Sequence, residues 1–431
     1  MEQSAIPHWY GPDDDVLTVA EGEDATVYDE DGTEYLDFLS QLYSVNAGHS
    51  CERIVEAMTE QARRIPYVSS SKHTPIRSEL AGKLVERAPD GLTDVFFSVT
   101  GSEANELALQ LAREYQDAPK VLSRWRSYHG STYGAAALTG DPQTRAPVEK
   151  HAATTGYTKF LPPLDFGGPF DADTPEELAE KAADHLEWVI KNEGPDSIAA
   201  LVTEPVGGTS GAYTAPPGYF ERVRELCDEY DILLVADEVI SGFGRCGDWF
   251  AIEGEGVEPD LVTFAKGVTS SYAPLAGVLV NEGLAGMVED EGLPTGQTFA
   301  GHPVSCAAGV AAIDAYEDGL LENVRALAPE LESGLRSLED EYDVVADVHG
   351  RGFLWGVEFA DPETGEHFFD PRVDEGDNPV SDVLAEARER GVLFGGGRPT
   401  VQVIVSPPLC ATTDEIDTAV EVLGESIDAV F

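Results

Sequence analysis

The sequence predicts an α/β protein: a large domain whose mostly parallel central sheet is covered by helices, plus a smaller α+β domain. Three observations carry that prediction. Short, β-branched apolar runs recur at residues 94–97, 197–202, 232–236 and 261–264, with helical stretches between several of them. The runs are apolar nearly throughout instead of alternating, as strands covered on both faces are. And 431 residues exceed what one hydrophobic core usually fills, so two lobes are expected.

Residues 1–65 form an N-terminal segment. An acidic, loop-like leader precedes two strand candidates, 25–28 and 34–38, with Asp31-Gly32 between them as a hairpin signal. Residues 66–325 form the large domain. Its helix over 102–114 brings Ala104, Leu107, Ala108 and Leu111 to one face at helical spacing. Further helices are expected over 218–230 and after Pro303. Residues 326–431 form the C-terminal part of the small domain, which packs with the N-terminal strands. There a charged amphipathic helix (323–341) leads into a glycine-punctuated strand (350–359), and a second helix-then-strand unit covers 381–406.

Composition narrows the function. Apolar residues make up 42% and charged residues 25%, which suits a folded enzyme and not a disordered chain. Twenty-seven basic against 80 acidic side chains leave a net charge of −53. Such a surface repels phosphate backbones and anionic lipid, which excludes nucleic acid and membranes as partners. Acidic residues are spread along the whole chain, between Asp13 and Asp428 as well as at Glu2, and only eight basic residues are Lys. This pattern fits a halophilic protein in a high-salt cytoplasm, where a Debye length of about 3 Å at 1 M screens self-repulsion. The five cysteines form no C-x-x-C pair and read as small buried hydrophobes in a reducing compartment. With no signal-peptide pattern at the N-terminus and no apolar run of membrane-spanning length, the expectation is a soluble, cytoplasmic protein.

Ligands of parallel α/β sheets bind beyond the carboxyl ends of the strands. The first polar residues after the apolar runs are Glu204, Asp237-Glu238 and Lys266, and Thr100-Gly101 opens the helix at Ser102. Each has a plainer reading. Thr100 with Glu103 fits a capping box. Asp237-Glu238 fits a metal site or a helix cap. Lys266 fits a solvated surface lysine, yet it is the only Lys after Lys191 and lies among Phe264-Ala265 and Gly267-Val268.

Six motifs in order make the combination specific: Thr100-Gly101-Ser102-Glu103-Ala104-Asn105, Tyr128-His129-Gly130, Glu204-Pro205-Val206, Asp237-Glu238-Val239 running to Arg245, Ala265-Lys266-Gly267, and Thr298-Phe299-Ala300-Gly301-His302-Pro303. The chain resembles the class-III aminotransferases of the fold-type-I pyridoxal-phosphate enzymes, from about Gly22 to Pro407-Pro408-Leu409. The resemblance implies pyridoxal 5′-phosphate as cofactor, held by Lys266 as a Schiff base. Once displaced, Lys266 would carry the proton from Cα. Asp237 would pair with the pyridinium nitrogen and keep the ring an electron sink. Val239 and Tyr128 would pack on its two faces. Gly101 and Ser102 would bind the phosphate at a helix N-terminus, and Glu204 would lie near the ring. Thr298 would reach the phosphate of a neighbouring subunit's cofactor, implying a homodimer or a tetramer of paired dimers. His129, His302 and Arg245 would be structural.

Two further positions bear on the amine and keto acid substrates. Tyr43, in Leu39-Ser40-Gln41-Leu42-Tyr43-Ser44-Val45, resembles the aromatic position of members acting on ω-amino acids and amines with pyruvate. Arg398, after Gly395-Gly396-Gly397, resembles the mobile arginine that binds a keto acid's carboxylate. The expected activity is therefore ω-amino-acid or amine:pyruvate transamination. The runners-up are a 4-aminobutyrate or other 2-oxoglutarate-dependent aminotransferase, and a decarboxylase or aminomutase on the same fold. Gly242-Phe243-Gly244-Arg245-Cys246-Gly247 fits the dinucleotide pattern G-x-G-x-x-G, but no strand directly precedes it and no clean helix follows.

Overall fold

The apolar runs lie at the centre of a seven-stranded sheet. The structure, a computed structural model, describes residues 8–9, 16–152 and 154–431. The leader read over residues 1–15 lies outside these apart from His8 and Trp9. Three strands come first: β1 (Val19–Glu23), β2 (Thr26–Asp29) and β3 (Glu34–Asp37). The large sheet follows, from β4 (Leu92–Ser98), β5 (Lys120–Arg124), β6 (Tyr157–Phe160), β7 (Ile198–Thr203), β8 (Leu233–Asp237), β9 (Leu261–Phe264) and β10 (Ala276–Asn281). Its order is β4-β10-β9-β8-β7-β5-β6. The strands from β5 to β9 pair in parallel, whereas β10 is antiparallel to both its neighbours. The link from Phe264 to Ala276 is too short for a crossover helix, so the chain doubles back there.

Every residue of β7, β8 and β9 is buried. At roughly 1.5–3 kcal/mol for each large apolar side chain, these strands anchor the sheet. The helix Gly101–Gln116 crosses one face, against β7, β9 and β10, and buries Ala104, Leu107, Ala108, Leu111 and Ala112. Truncating Leu111 to alanine there costs about 2–5 kcal/mol. Thr100 caps the helix as expected: its Oγ1 accepts the Glu103 N–H at 3.3 Å, and Glu103 Oε2 accepts the Thr100 N–H at 3.1 Å.

Residues 350–359 do not form one strand. β11 (Val345–Arg351) and β12 (Leu354–Phe359) make an antiparallel hairpin that turns at Gly352. Gly352 has φ +63°, a left-handed conformation that suits glycine, so the glycines mark a turn and not merely a punctuated strand. Of β13 (Val392–Leu393), β14 (Gly395–Gly396) and β15 (Gln402–Val405), the last two complete a sheet of order β11-β12-β15-β14. β13 instead pairs in parallel with β3, Val392 opposite Leu36, so a C-terminal strand joins the N-terminal sheet.

Arg245 ties these parts together. Its buried guanidinium donates to the carbonyls of Phe353 and Pro407, to Ser40 Oγ at 3.2 Å and to Asn46 Oδ1 at 2.9 Å. Burial pushes its pKa down to about 10. The structural reading of Arg245 fits this geometry. The reading of the cysteines needs a correction: Cys227, Cys246 and Cys306 are buried, but Cys51 and Cys410 are only half-buried, beside the segment around Gly48. Among the described residues, no helix is long and apolar enough to cross a membrane.

Candidate active site

Parallel strands end on one side, and their first polar residues meet there. Gly101, Ser102, Tyr128, Glu204, Asp237, Val239 and Lys266 line one cleft of about 140 Å³, joined by Asn105 and His129. Asp237 ends β8, Glu204 follows β7 and Lys266 lies two residues beyond β9. Glycine at 101 is a packing requirement, since a Cβ there would lie 2.9 Å from Val239 Cγ1.

Asp237 is 3% exposed and heavily engaged. Its Oδ2 accepts from His129 Nδ1 at 2.7 Å and Asn105 Nδ2 at 2.8 Å, and its Oδ1 from the Val239 N–H at 3.1 Å. Burial pushes this carboxyl up, but His129, Asn105 and the Val239 N–H outweigh it and hold the group below its ordinary pKa. His129 therefore does more than neighbour Tyr128: it orients the carboxylate. Among the described residues that line the cleft, two buried side-chain atoms have no partner, His129 Nε2 and Asn105 Oδ1.

Lys266 has φ +47°, which a non-glycine residue adopts at a cost of order 1–3 kcal/mol. Burial pushes its amine down to about 8, partly offset by Asp237 and Glu204. Glu204 is buried beside an equally buried Arg124, whose Nη2 lies 3.5 Å from Glu204 Oε2, and its Oε1 accepts the Gly208 N–H at 3.1 Å. Desolvation raises the Glu204 pKa against the pull of Arg124.

The buried Tyr43 ring lies with its centroid 5.3 Å from Lys266 Nζ. Burial raises the Tyr43 hydroxyl above its ordinary pKa. Arg398 sits beside the cleft, its Cζ 5.8 Å from the ring centroids of both Tyr128 and Trp9. Thr298 is the exception. It is exposed, does not line the cleft, and its carbonyl accepts from Tyr67 Oη at 3.2 Å. His302 also lies outside the cleft, against Tyr67 and Phe299. Gly242–Gly247 is followed by a short 3₁₀ turn, Ala251–Glu255, with no helix to take a pyrophosphate. Among the described residues, the grouped metal-type donors are Asp347, His349 and Glu358. They do not line the cleft, and both His349 ring nitrogens are already engaged, by Asp347 Oδ2 at 2.6 Å and the Gly211 carbonyl at 2.7 Å.

Asn105, Arg124 and the orienting part of His129 carry no assigned role in the sequence reading. Asn105 left one signal, a lone amide on the apolar face of its helix between Ala104 and Leu107. Arg124 left none.

A lysine, a buried carboxylate and a helix N-terminus now share a cleft, in a chain whose residues 9–427 match the family model for class-III aminotransferases. The chain is a class-III aminotransferase. A probable aminotransferase of Mycobacterium tuberculosis is 39% identical over 94% of this chain and 88% of its own. An amine transaminase from an uncultivated Pseudomonas species, solved in its pyridoxal-phosphate-bound form, superimposes with a TM-score of 0.91 at 31% identity, covering 100% of both chains. The taurine:2-oxoglutarate aminotransferase of Bifidobacterium kashiwanohense, solved with pyridoxal phosphate and glutamate, reaches 0.94 at 32% identity, covering 99% of this chain and 95% of that one. This aminotransferase, like its family, depends on pyridoxal phosphate and has the fold-type-I α/β architecture. Its cleft fits that group. Within it lie two buried polar atoms without partners and the N–H groups of Gly101 and Ser102, which have no partner among the described residues.

Proposed function

We propose that this aminotransferase moves an amino group from an ω-amino acid or amine to a keto acid, pyruvate in particular, using the residues gathered at the strand ends. The bound cofactor supplies an aldehyde and a protonated ring that acts as an electron sink. Lys266, neutral for part of the time at about pH 8, holds that aldehyde and later moves a proton at its Nζ. Asp237, kept ionised by His129 and Asn105, holds the ring nitrogen's proton. Gly101 and Ser102 bind the phosphate, and Val239 and Tyr128 flank the ring. Glu204 lies nearby with its charge tempered by Arg124.

The observation that carries the substrate reading is the pairing of Tyr43 with Arg398. One supplies an aromatic wall against Lys266, and the other a guanidinium beside Tyr128, two residues beyond β14. Aromatic surface suits the carbon skeleton of an amine, and guanidinium suits a carboxylate. Adding donors to the holoenzyme and following conversion of its absorption to the pyridoxamine form tests this. Conversion by alanine and ω-amino acids but not by glutamate is expected. Conversion by glutamate and 4-aminobutyrate alone overturns it in favour of a 2-oxoglutarate-dependent enzyme, the reading that the glutamate-bound relative supports.

The same proposal makes the working unit a homodimer, or a tetramer of paired dimers. Thr298, exposed and outside its own cleft, would reach the neighbouring subunit's phosphate. The domain division at residues 65 and 325, the cytoplasmic location and the halophilic character belong to this reading as well, the last resting on the net charge of −53.

A further inference from the structure

One site must receive both a substrate with a carboxylate and an amine without one. A lone buried cation at the mouth would favour the first and penalise the second. Arg398 is not alone. Its Nη1 donates to Thr144 Oγ1 at 3.0 Å and lies 3.8 Å from Asp141 Oδ2. Thr144 Oγ1 donates in turn to the same Asp141 oxygen at 2.7 Å. The Asp141 side chain is 3% exposed and held in place as the cap of the helix Pro142–Glu149, accepting from the backbone N–H groups of Gln143 at 3.2 Å and Thr144 at 2.9 Å. Arg398 is 26% exposed, whereas the Asp141 carboxylate is buried and pinned by the cap, so the acid is the fixed member of the pair. Nε and Nη2 of Arg398 have no hydrogen-bond partner among the described residues, which leaves one edge of the fork open.

We infer that Asp141, with Thr144, is a specificity-determining counter-ion that grips Arg398 by Nη1, leaves its Nε–Nη2 edge to a substrate carboxylate, and weakens that carboxylate's binding enough for carboxylate-free amines to share the site. The inference rests on the reading of Arg398 as the carboxylate-binding residue. A substrate carboxylate on the open edge is attracted by Arg398 and repelled by Asp141 behind it. An amine without a carboxylate meets a neutralised pair instead of a bare guanidinium.

Asp141→Asn tests this in the holoenzyme, because asparagine caps helices about as well as aspartate. Expected are a KM for carboxylate-bearing substrates lowered about threefold or more with kcat little changed, no such fall for a carboxylate-free amine, and a shift that shrinks in molar KCl. The dissociation constant of butyrate, an unreactive carboxylate, should fall in parallel, a readout independent of turnover. Asp141→Ser, a second uncharged cap, should act in the same direction if the asparagine variant is poorly folded. An unchanged ratio of carboxylate to amine KM in both variants, or equal shifts for both substrate classes, overturns the inference. Arg398→Ala separates the two levels. If it leaves carboxylate binding intact, the reading of Arg398 itself fails. If it weakens carboxylates tenfold or more while the Asp141 variants change nothing, only the role of Asp141 fails.

Discussion

Lys266 holds an amine whose charge its surroundings oppose. Burial outweighs the attraction of Asp237 and Glu204 and pushes the group down to about 8 from the usual lysine range. A base with a lowered pKa gains its neutral, nucleophilic form as pH climbs through that value, well before an exposed lysine does. The rate at which apoenzyme takes up pyridoxal phosphate, followed by absorption, should therefore rise through a midpoint near pH 8 and level off above it. A rate still climbing at pH 10, or an equal rise in Lys266→Ala, would contradict the assignment. Across the cleft, Asp237 titrates the other way. The hydrogen bonds from His129 and Asn105 keep it ionised, so it stays an anion across the range in which Lys266 changes charge. Carboxylate and lysine thus have ionisations pushed in useful directions by their own neighbours.

The helix Gly101–Gln116 brings two roles to one position. Its capping box, Thr100 with Glu103, looks like a structural device, and it is one. The same end also lines the cleft, so the cap and the proposed phosphate site occupy a single turn. Gly101 links this end to the loop after β8, because only the missing Cβ lets Val239 approach. Gly101→Ala should cost about 1–3 kcal/mol of stability through overpacking and weaken cofactor affinity about tenfold or more, by displacing either the helix end or Val239. Val239→Ala in the same chain should recover most of the stability. Fluorescence titration with pyridoxal phosphate and thermal melts of the wild type and the two variants check this; wild-type affinity in the single variant would refute it. The hairpin of β11 and β12 shows the opposite case. Glycines that read as punctuation in one strand mark its reversal, since φ +63° at Gly352 belongs to a turn and the residue type alone does not distinguish the two.

Across the whole molecule, 80 acidic side chains face only 27 basic ones. Many of the observed ion pairs lie on the surface, such as Lys181–Glu177 and Arg222–Glu225. Exposed pairs of this kind contribute about 0–1 kcal/mol each, too little to offset general self-repulsion. In the halophilic reading screening by salt would do so instead, through a Debye length that shrinks to about 3 Å at 1 M. The melting temperature should accordingly rise steeply from dilute buffer to molar KCl and change far less on further addition. A flat profile would remove the halophilic reading without touching the site.

The strands β7, β8 and β9, the apolar face of the helix after Thr100, and the polar residues beyond each strand were all legible in the chain. Burial on both faces dictates composition and period, and a strand end is where that composition stops. The family followed from the order of those strand-end residues. The partnerships did not. His129 meets Asp237 across 108 positions, Arg124 meets Glu204 across 80, and Arg398 meets Thr144 across 254. No period or spacing encodes such pairs, because each arises only where packing brings two separately built segments within hydrogen-bond distance. So the charge state of Asp237 and the counter-ion of Arg398 were decided by tertiary structure. The presence of an acid, a lysine and an arginine to be tuned was already written in the sequence.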